Sequence, residues 1–157
     1  MNKSELWDQL IACISSELEQ AETAARDAAD YATDDEAKAK SKWDTQGLEA
    51  SYLAAGQAKK VGELREAVGK IHALATQVQQ SHSSVREGSL VTVDLSGETS
   101  TYLVVPAGGG VVLEGPEGVE IWTITPPSPL GQRLIGKANH ASLTMPNHTP
   151  AKIISII

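Results

Sequence analysis

The sequence predicts an α+β chain: an antiparallel coiled-coil helical hairpin at the N-terminus, followed by a small β-rich domain. Two observations predict it. Apolar residues recur at helical spacing through the first half and switch to period two after about residue 85. The turn residues follow the same division, because no proline occurs before Pro106. Helices first and strands second describe segregated layers rather than an alternating α/β weave. The division is drawn at 1–80 for the hairpin and 85–157 for the sheet domain.

The first helix is read from Trp7, Ile11, Ile14, Leu18, Ala21, Ala25, Ala28 and Ala32, which step by four and three as a coiled-coil seam does. Leu6, Leu10 and Cys13 widen the stripe near its start. A second seam runs through Val61, Leu64, Val68, Ile71, Ala75 and Val78. Bulky residues lie at the outer ends of this segment. Small ones, Ala21, Ala25 and Ala28 against Ala54, Ala55 and Ala58, lie toward its middle. Antiparallel pairing therefore sets large against large at the base and alanine against alanine toward a slim tip. Matching Trp7 with Val78, Ile11 with Leu74 and Ile14 with Ile71 puts the fold-back near residues 42 and 43. Asp44-Thr45-Gln46-Gly47 supplies turn chemistry there, within a tip spanning about 34–47. A competing register takes Thr33-Asp34-Asp35-Glu36 as a capping box with Thr33 as N-cap.

The polar run Gln79 to Ser84 reads as a linker. Strands follow at Val91–Leu95, Tyr102–Val105, Val111–Leu113 and Val119–Thr123, with a last one at Lys152–Ile157. Turns fall at Ser96-Gly97 and at Pro106–Gly110. Between the later strands, Ser128 suits an N-cap, Pro129 the first helical position and Gly136 the C-terminal cap. The short helix they bound carries Leu130, Leu134 and Ile135 to cover a sheet face.

Composition limits the function. Thirteen basic against twenty acidic residues give a net charge of −7, so bulk attraction to a nucleic-acid backbone is excluded. The single cysteine, Cys13, allows no internal disulfide and is read as packing beside the seam. The four histidines show no metal-ligand spacing. Gly108-Gly109-Gly110 lacks the lysine and hydroxyl of a phosphate-binding loop. No apolar run spans a bilayer and the N-terminal residues lack an apolar signal core, so a cytoplasmic chain with no membrane role is expected. Trp7 and Trp122 are expected in the core or a domain interface. Leu48, Tyr52 and Ala55 share one helix face, which fits either a partner surface or packing within the hairpin.

The segment Ser128-Pro129-Leu130-Gly131-Gln132-Arg133-Leu134-Ile135-Gly136-Lys137 resembles a motif of the Gre family of bacterial transcript-cleavage factors. That family's C-terminal domain, which is FKBP-like, carries Ser-Pro-(Leu/Ile)-x-x-x-Leu-(Leu/Ile)-Gly-Lys. Domain order and chain length agree with it as well. The resemblance implies a factor that is not itself an enzyme and that inserts its hairpin into the secondary channel of RNA polymerase. It implies contact with nucleic acid only through the elongation complex, and it sets Ser128, Pro129, Leu130 and Lys137 as docking residues. A monomer is expected.

In that family an acidic pair at the hairpin tip, in Asp-x-x-Glu followed by Asn-Ala-Glu-Tyr, helps the polymerase hold a second Mg²⁺. Mg²⁺ is a hard ion that favours oxygen ligands. Placing the tip aromatic on Trp43 puts Glu36 at the first acidic position and Ala39 at the second. Asp34, Asp35, Glu36 and Asp44 are the carboxylate candidates. Asp35 and Glu36 would share the ion only transiently, and no cofactor is expected to stay bound. Lys38, Lys40, Lys42 and Trp43 are candidates for contacts at the tip. Asp34 with Lys38 and Glu36 with Lys40 also make ordinary i,i+4 pairs. With the second acidic position lost, occupation of the channel is expected with cleavage weak or absent. A coiled-coil scaffold is the rival outside transcription.

Overall fold

The computed structural model describes residues 2–33, 45–77 and 82–157. The tip candidates Asp34, Asp35, Glu36, Lys38, Lys40, Lys42, Trp43 and Asp44 lie outside the described residues, as does Val78. The chain is α+β, with two long helices followed by a mixed sheet. Helix α1 spans Lys3–Thr33 and α2 spans Gln46–Ala75. At 1.5 Å per residue each is about 45 Å long. Among the described residues, no helix is long and apolar enough to cross a membrane.

Compactness divides the chain into two units that do not follow the helix–sheet boundary. One comprises Met1–Ala12 with Gly69–Ile157, and the other Cys13–Val68.

Within Cys13–Val68 the two arms run antiparallel. On α1, Ile14, Ala21 and Ala28 are buried, and Leu18 and Ala25 are half-buried between them. On α2 the seam runs through Ala50, Ala54, Gln57, Val61, Leu64 and Val68. The expectation that Ala55 and Ala58 would join it is corrected, because both are exposed. Continuing the three–four spacing back from Val61 reaches Gln57 and Ala54, so a polar residue holds the position assigned to Ala58. Two ion pairs flank the seam: Arg65 donates to Glu22 at 2.7 Å, and Lys60 lies 3.3 Å from Glu17. In heptad terms Glu22 and Arg65 are both e, and Glu17 and Lys60 are both g. Antiparallel arms bring like positions together, so both pairs fit an up–down hairpin.

The capping-box reading rests on Glu36, which lies outside the described residues. Thr33 itself falls within α1, where its hydroxyl donates back to the carbonyls of Ala29 and Asp30 at 3.0 Å each. Thr45 stands at the start of α2 instead, where its carbonyl accepts the Glu49 N–H at 2.9 Å. Cys13, expected against the seam, is exposed.

In the other unit, strands β1 (Leu90–Leu95), β2 (Glu98–Val104), β3 (Val112–Glu114), β4 (Glu120–Ile124), β5 (Ser142–Thr144) and β6 (Pro150–Ile156) form one sheet. Its order is β3-β4-β2-β1-β6-β5, with β2 and β4 parallel and the other neighbours antiparallel. The β1–β2 turn places Ser96 at φ 59° and Gly97 at φ 102°. Both central residues are left-handed, as a two-residue hairpin twisting with its strands requires. The Asp94 carboxylate accepts the Gly97 N–H at 2.8 Å.

One sheet face carries Val91, Val93, Val104, Ile124, Ile153 and Ile156 in a core with Val85, Met145 and Leu134. Leu134 comes from the short helix α3 (Gly131–Leu134). The opposite face carries Leu90, Leu103, Leu113 and Ile121, all buried. The start of α1 belongs to the same unit and is tied to the sheet. Gln9 donates to the Glu114 carbonyl and accepts its N–H, each at 2.9 Å, which occupies the exposed edge of β3 as another strand would. Lys3 donates to the Gly88 carbonyl at 3.3 Å, and burial pushes its pKa below 10.5, with the nearby Arg86 guanidinium adding to the effect. Leu6, Trp7 and Leu10 are the buried apolar residues of this segment, so Trp7 lies in a core as expected.

Strand β2 begins four residues earlier than the apolar pattern suggested, at Glu98, and β5 carried too few apolar residues to be predicted. The linker reading fails at Ser84, which bridges Ala138.

Candidate functional site

The start of the segment Ser128–Lys137, at Ser128, Pro129 and Leu130, forms one wall of a cleft in the sheet-bearing unit. Its first turn is helical from Ser128, three residues before α3 begins at Gly131. The Ser128 carbonyl accepts the Gln132 N–H at 2.9 Å, and its hydroxyl accepts the Gly131 N–H at 3.0 Å. That is the bonding of an N-cap, as the sequence predicts. The same hydroxyl donates to the Thr125 carbonyl at 2.7 Å. Gly136 ends the turn at φ 77° and donates to the Val85 carbonyl, while Val85 donates to that of Lys137. Both ends of the segment are therefore anchored by backbone bonds to the rest of the unit.

Gly131 has a role that the sequence reading missed. A Cβ there would fall on the Thr125 carbonyl oxygen and lie 2.9 Å from that of Pro126. Absence of a side chain lets the helical turn sit directly on the Thr125–Pro126 backbone. Sequence alone offers no signal for this, because the position looks like any small residue within a short helix.

The cleft holds about 660 Å³, within the range of ligand and peptide sites. Its aromatic side comes from register: Tyr102 on β2 lies beside Trp122 on β4. Pro129, Leu130 and Pro146 are among the residues facing them, and no charged residue lines the cleft. Two of its hydroxyls, those of Ser128 and Thr123, are satisfied internally. The Thr123 hydroxyl donates to the Gly108 carbonyl at 2.7 Å and accepts the Val111 N–H at 2.8 Å. What remains is a neutral, apolar concavity on a chain of net charge −7.

Trp122, expected in a core or interface, is 44% exposed at this cleft. Pro129 and Leu130 stand in the cleft wall, with Leu130 also touching the core below. Ser128 lines the cleft, but its hydroxyl is committed to the cap. Lys137 is exposed and outside the lining. Leu134 covers the sheet as predicted, whereas Ile135 is exposed and does not.

The described part of the hairpin shows a second unusual surface. Leu48 is 56% exposed and Tyr52 71% exposed, in heptad positions that point away from the seam. Packing between the arms therefore does not account for them. Gly56 follows one turn on, exposed, with nothing within 4 Å of an added Cβ. Glycine in a helix interior costs about 1 kcal/mol relative to alanine, and no contact among the described residues requires it here or at Gly62 and Gly69.

Among the described residues, no group of three or more His, Cys, Asp or Glu could hold a metal ion.

No protein-family model matches the chain, and no curated protein matches it. Solved structures similar to it include GreA factor homolog 1 (Gfh1) of Thermus thermophilus, at 18% identity and a TM-score of 0.38, covering 98% of this chain and 94% of that one. A second structure of the transcription factor Gfh1 aligns at 18% identity and a TM-score of 0.39, over 97% and 93% of the two chains. Thermus aquaticus Gfh1 aligns at 18% identity and a TM-score of 0.37, over 99% and 96%.

Proposed function

We propose that this chain is a Gre-like regulator of bacterial RNA polymerase, one that occupies the secondary channel with its hairpin. The observation that carries the reading is the Ser128–Lys137 segment. It resembles the family's motif, it is built by its own capping bonds, and it walls an apolar cleft on a domain that follows a helical hairpin. The cleft, with Tyr102, Trp122, Pro129 and Leu130, is taken as the surface of an FKBP-like domain that docks on the polymerase. Lys137 would add a peripheral charge contact. Aromatic and proline side chains suit such a surface because they bury much area and lose little conformational freedom.

We further propose that the chain does not stimulate cleavage. Ala50-Ser51-Tyr52 reproduces the Ala-x-Tyr of the family's tip motif, with Ala50 buried in the seam and Tyr52 exposed. In that register the two acidic positions fall on Thr45 and on Leu48, a hydroxyl and a hydrocarbon. Leu48 gives Mg²⁺ no oxygen, and the Thr45 hydroxyl carries no charge. The alternative register through Trp43 keeps Glu36 at the first acidic position, with Asp34, Asp35 and Asp44 nearby, but puts Ala39 at the second, so it too leaves cleavage weak or absent.

The test is RNA cleavage in a purified backtracked elongation complex with Mg²⁺, with the protein added at increasing concentration. The expected result is no shortening of the RNA 3′ end, together with competition against an authentic cleavage factor. Shortening that disappears on Glu36→Ala would put the chemistry on the tip acids and overturn the non-cleaving reading. Neither cleavage nor competition would remove the polymerase reading and leave a coiled-coil scaffold.

A further inference from the structure

We infer that the outer end of the hairpin, residues 25–33 of α1 with residues 46–58 of α2, is a separately opening element: it melts and recloses while the sheet-bearing unit stays folded. The ion pairs Glu22–Arg65 and Glu17–Lys60 flank the seam and fix its register. Ile14, Leu18 and Ala21 come level with Val68, Leu64 and Val61, so each inner layer holds a branched side chain. Continued outward, the same register sets Ala25 against Gln57, Ala28 against Ala54 and Ala32 against Ala50. The outer layers therefore pack only methyl groups and one amide side chain.

Three further observations point the same way. A groove of about 360 Å³ opens beside Ala25, lined also by Glu22, Arg26, Ala58, Val61 and Arg65, so the first outer layer is loosely filled. Gly56, like Gly62 and Gly69, is exposed in α2 with nothing near an added Cβ, and of these three it lies within the outer end. It makes closing the helix about fivefold less favourable than alanine would. Both ion pairs lie inward of this end, so its opening breaks neither of them. A segment with few buried apolar contacts opens at a lower free energy than the core of its protein. This opening is a property of the chain alone, whatever the hairpin engages. A partner that binds only the closed form would order the end as it binds.

The experiment is native-state amide hydrogen exchange on the full chain, for the wild type, Gly56→Ala, Gln57→Leu and Ile153→Val. In the wild type, the amides of residues 50–58 are expected to be about tenfold or more less protected than those of β1. Gly56→Ala is expected to slow their exchange about fivefold, and Gln57→Leu, which fills the seam, about tenfold. Ile153 is fully buried in the sheet core. Ile153→Val is expected to speed exchange in β1 about fivefold and to leave residues 50–58 unchanged. Equal protection of the two segments, or acceleration of both by Ile153→Val, would mean that the outer end opens only with the whole molecule and would overturn the inference. Exchange unaltered by both Gly56→Ala and Gln57→Leu would overturn the assignment of its weakness to these residues.

Discussion

Single residues set the shape of the cleft wall. Ser128 both caps the turn and holds the Thr125 carbonyl, and Gly131 lets that turn lie on the Thr125–Pro126 backbone. The two act together, because the capping bond forms only if residue 131 can approach. Gly131→Ala is therefore expected to destabilise the protein by about 2–3 kcal/mol, the scale of forced overpacking, rather than to stabilise it as alanine does in an open helix. Urea unfolding measures this, and an unchanged midpoint would show that the backbone shifts freely. Cap chemistry at Ser128 was legible in the sequence because it depends on residue type at fixed spacing. The steric role of Gly131 was not, because the carbonyl it meets is brought there by a chain reversal.

At the scale of elements, the hairpin pairs its arms through a thin seam and two flanking ion pairs. Glu22 with Arg65 and Glu17 with Lys60 lie on opposite edges of that seam. Both pairs are substantially exposed, so each stabilises the hairpin only modestly, by about 0.2–1 kcal/mol. Their larger effect is on register, since like charges at these places oppose the alignment. Glu22→Lys alone is expected to lower stability by about 0.5–1 kcal/mol, and Glu22→Lys with Arg65→Glu to recover most of it. Thermal unfolding in low salt checks this, and a double variant no better than the single one would remove the pair's role. The seam of α1 was readable from the four–three spacing. The seam of α2 was misread at Ala55 and Ala58, because alanine marks a core only when its neighbours do, and Gln57 broke the apolar pattern.

Over the whole molecule, the sheet-bearing unit takes in both ends of the hairpin. Leu90, Leu103, Leu113 and Ile121 are buried on the face away from α3, and Gln9 occupies the β3 edge from α1. A fragment beginning at residue 85 loses that segment of α1 and uncovers an apolar face and a strand edge. It is expected to aggregate or to unfold without cooperativity, whereas addition of Met1–Ala12 and Gly69–Ser84 through a short linker restores a cooperative transition. Calorimetry of the two fragments distinguishes them, and a cooperative transition in the shorter one would show that the sheet is self-sufficient.

By itself the sequence determined the fold class, most element positions, the cap at Ser128 and the resemblance carried by Ser128–Lys137. These follow from periodicity and local backbone chemistry, which act between residues close in sequence. The tertiary structure alone decided that Trp122 opens onto a cleft beside Tyr102 and that Leu48 and Tyr52 lie outside the seam. Each of these depends on which distant segments meet. Burial is a property of neighbours, so an aromatic or leucine reads the same in a sequence whether it fills a core or waits for a partner.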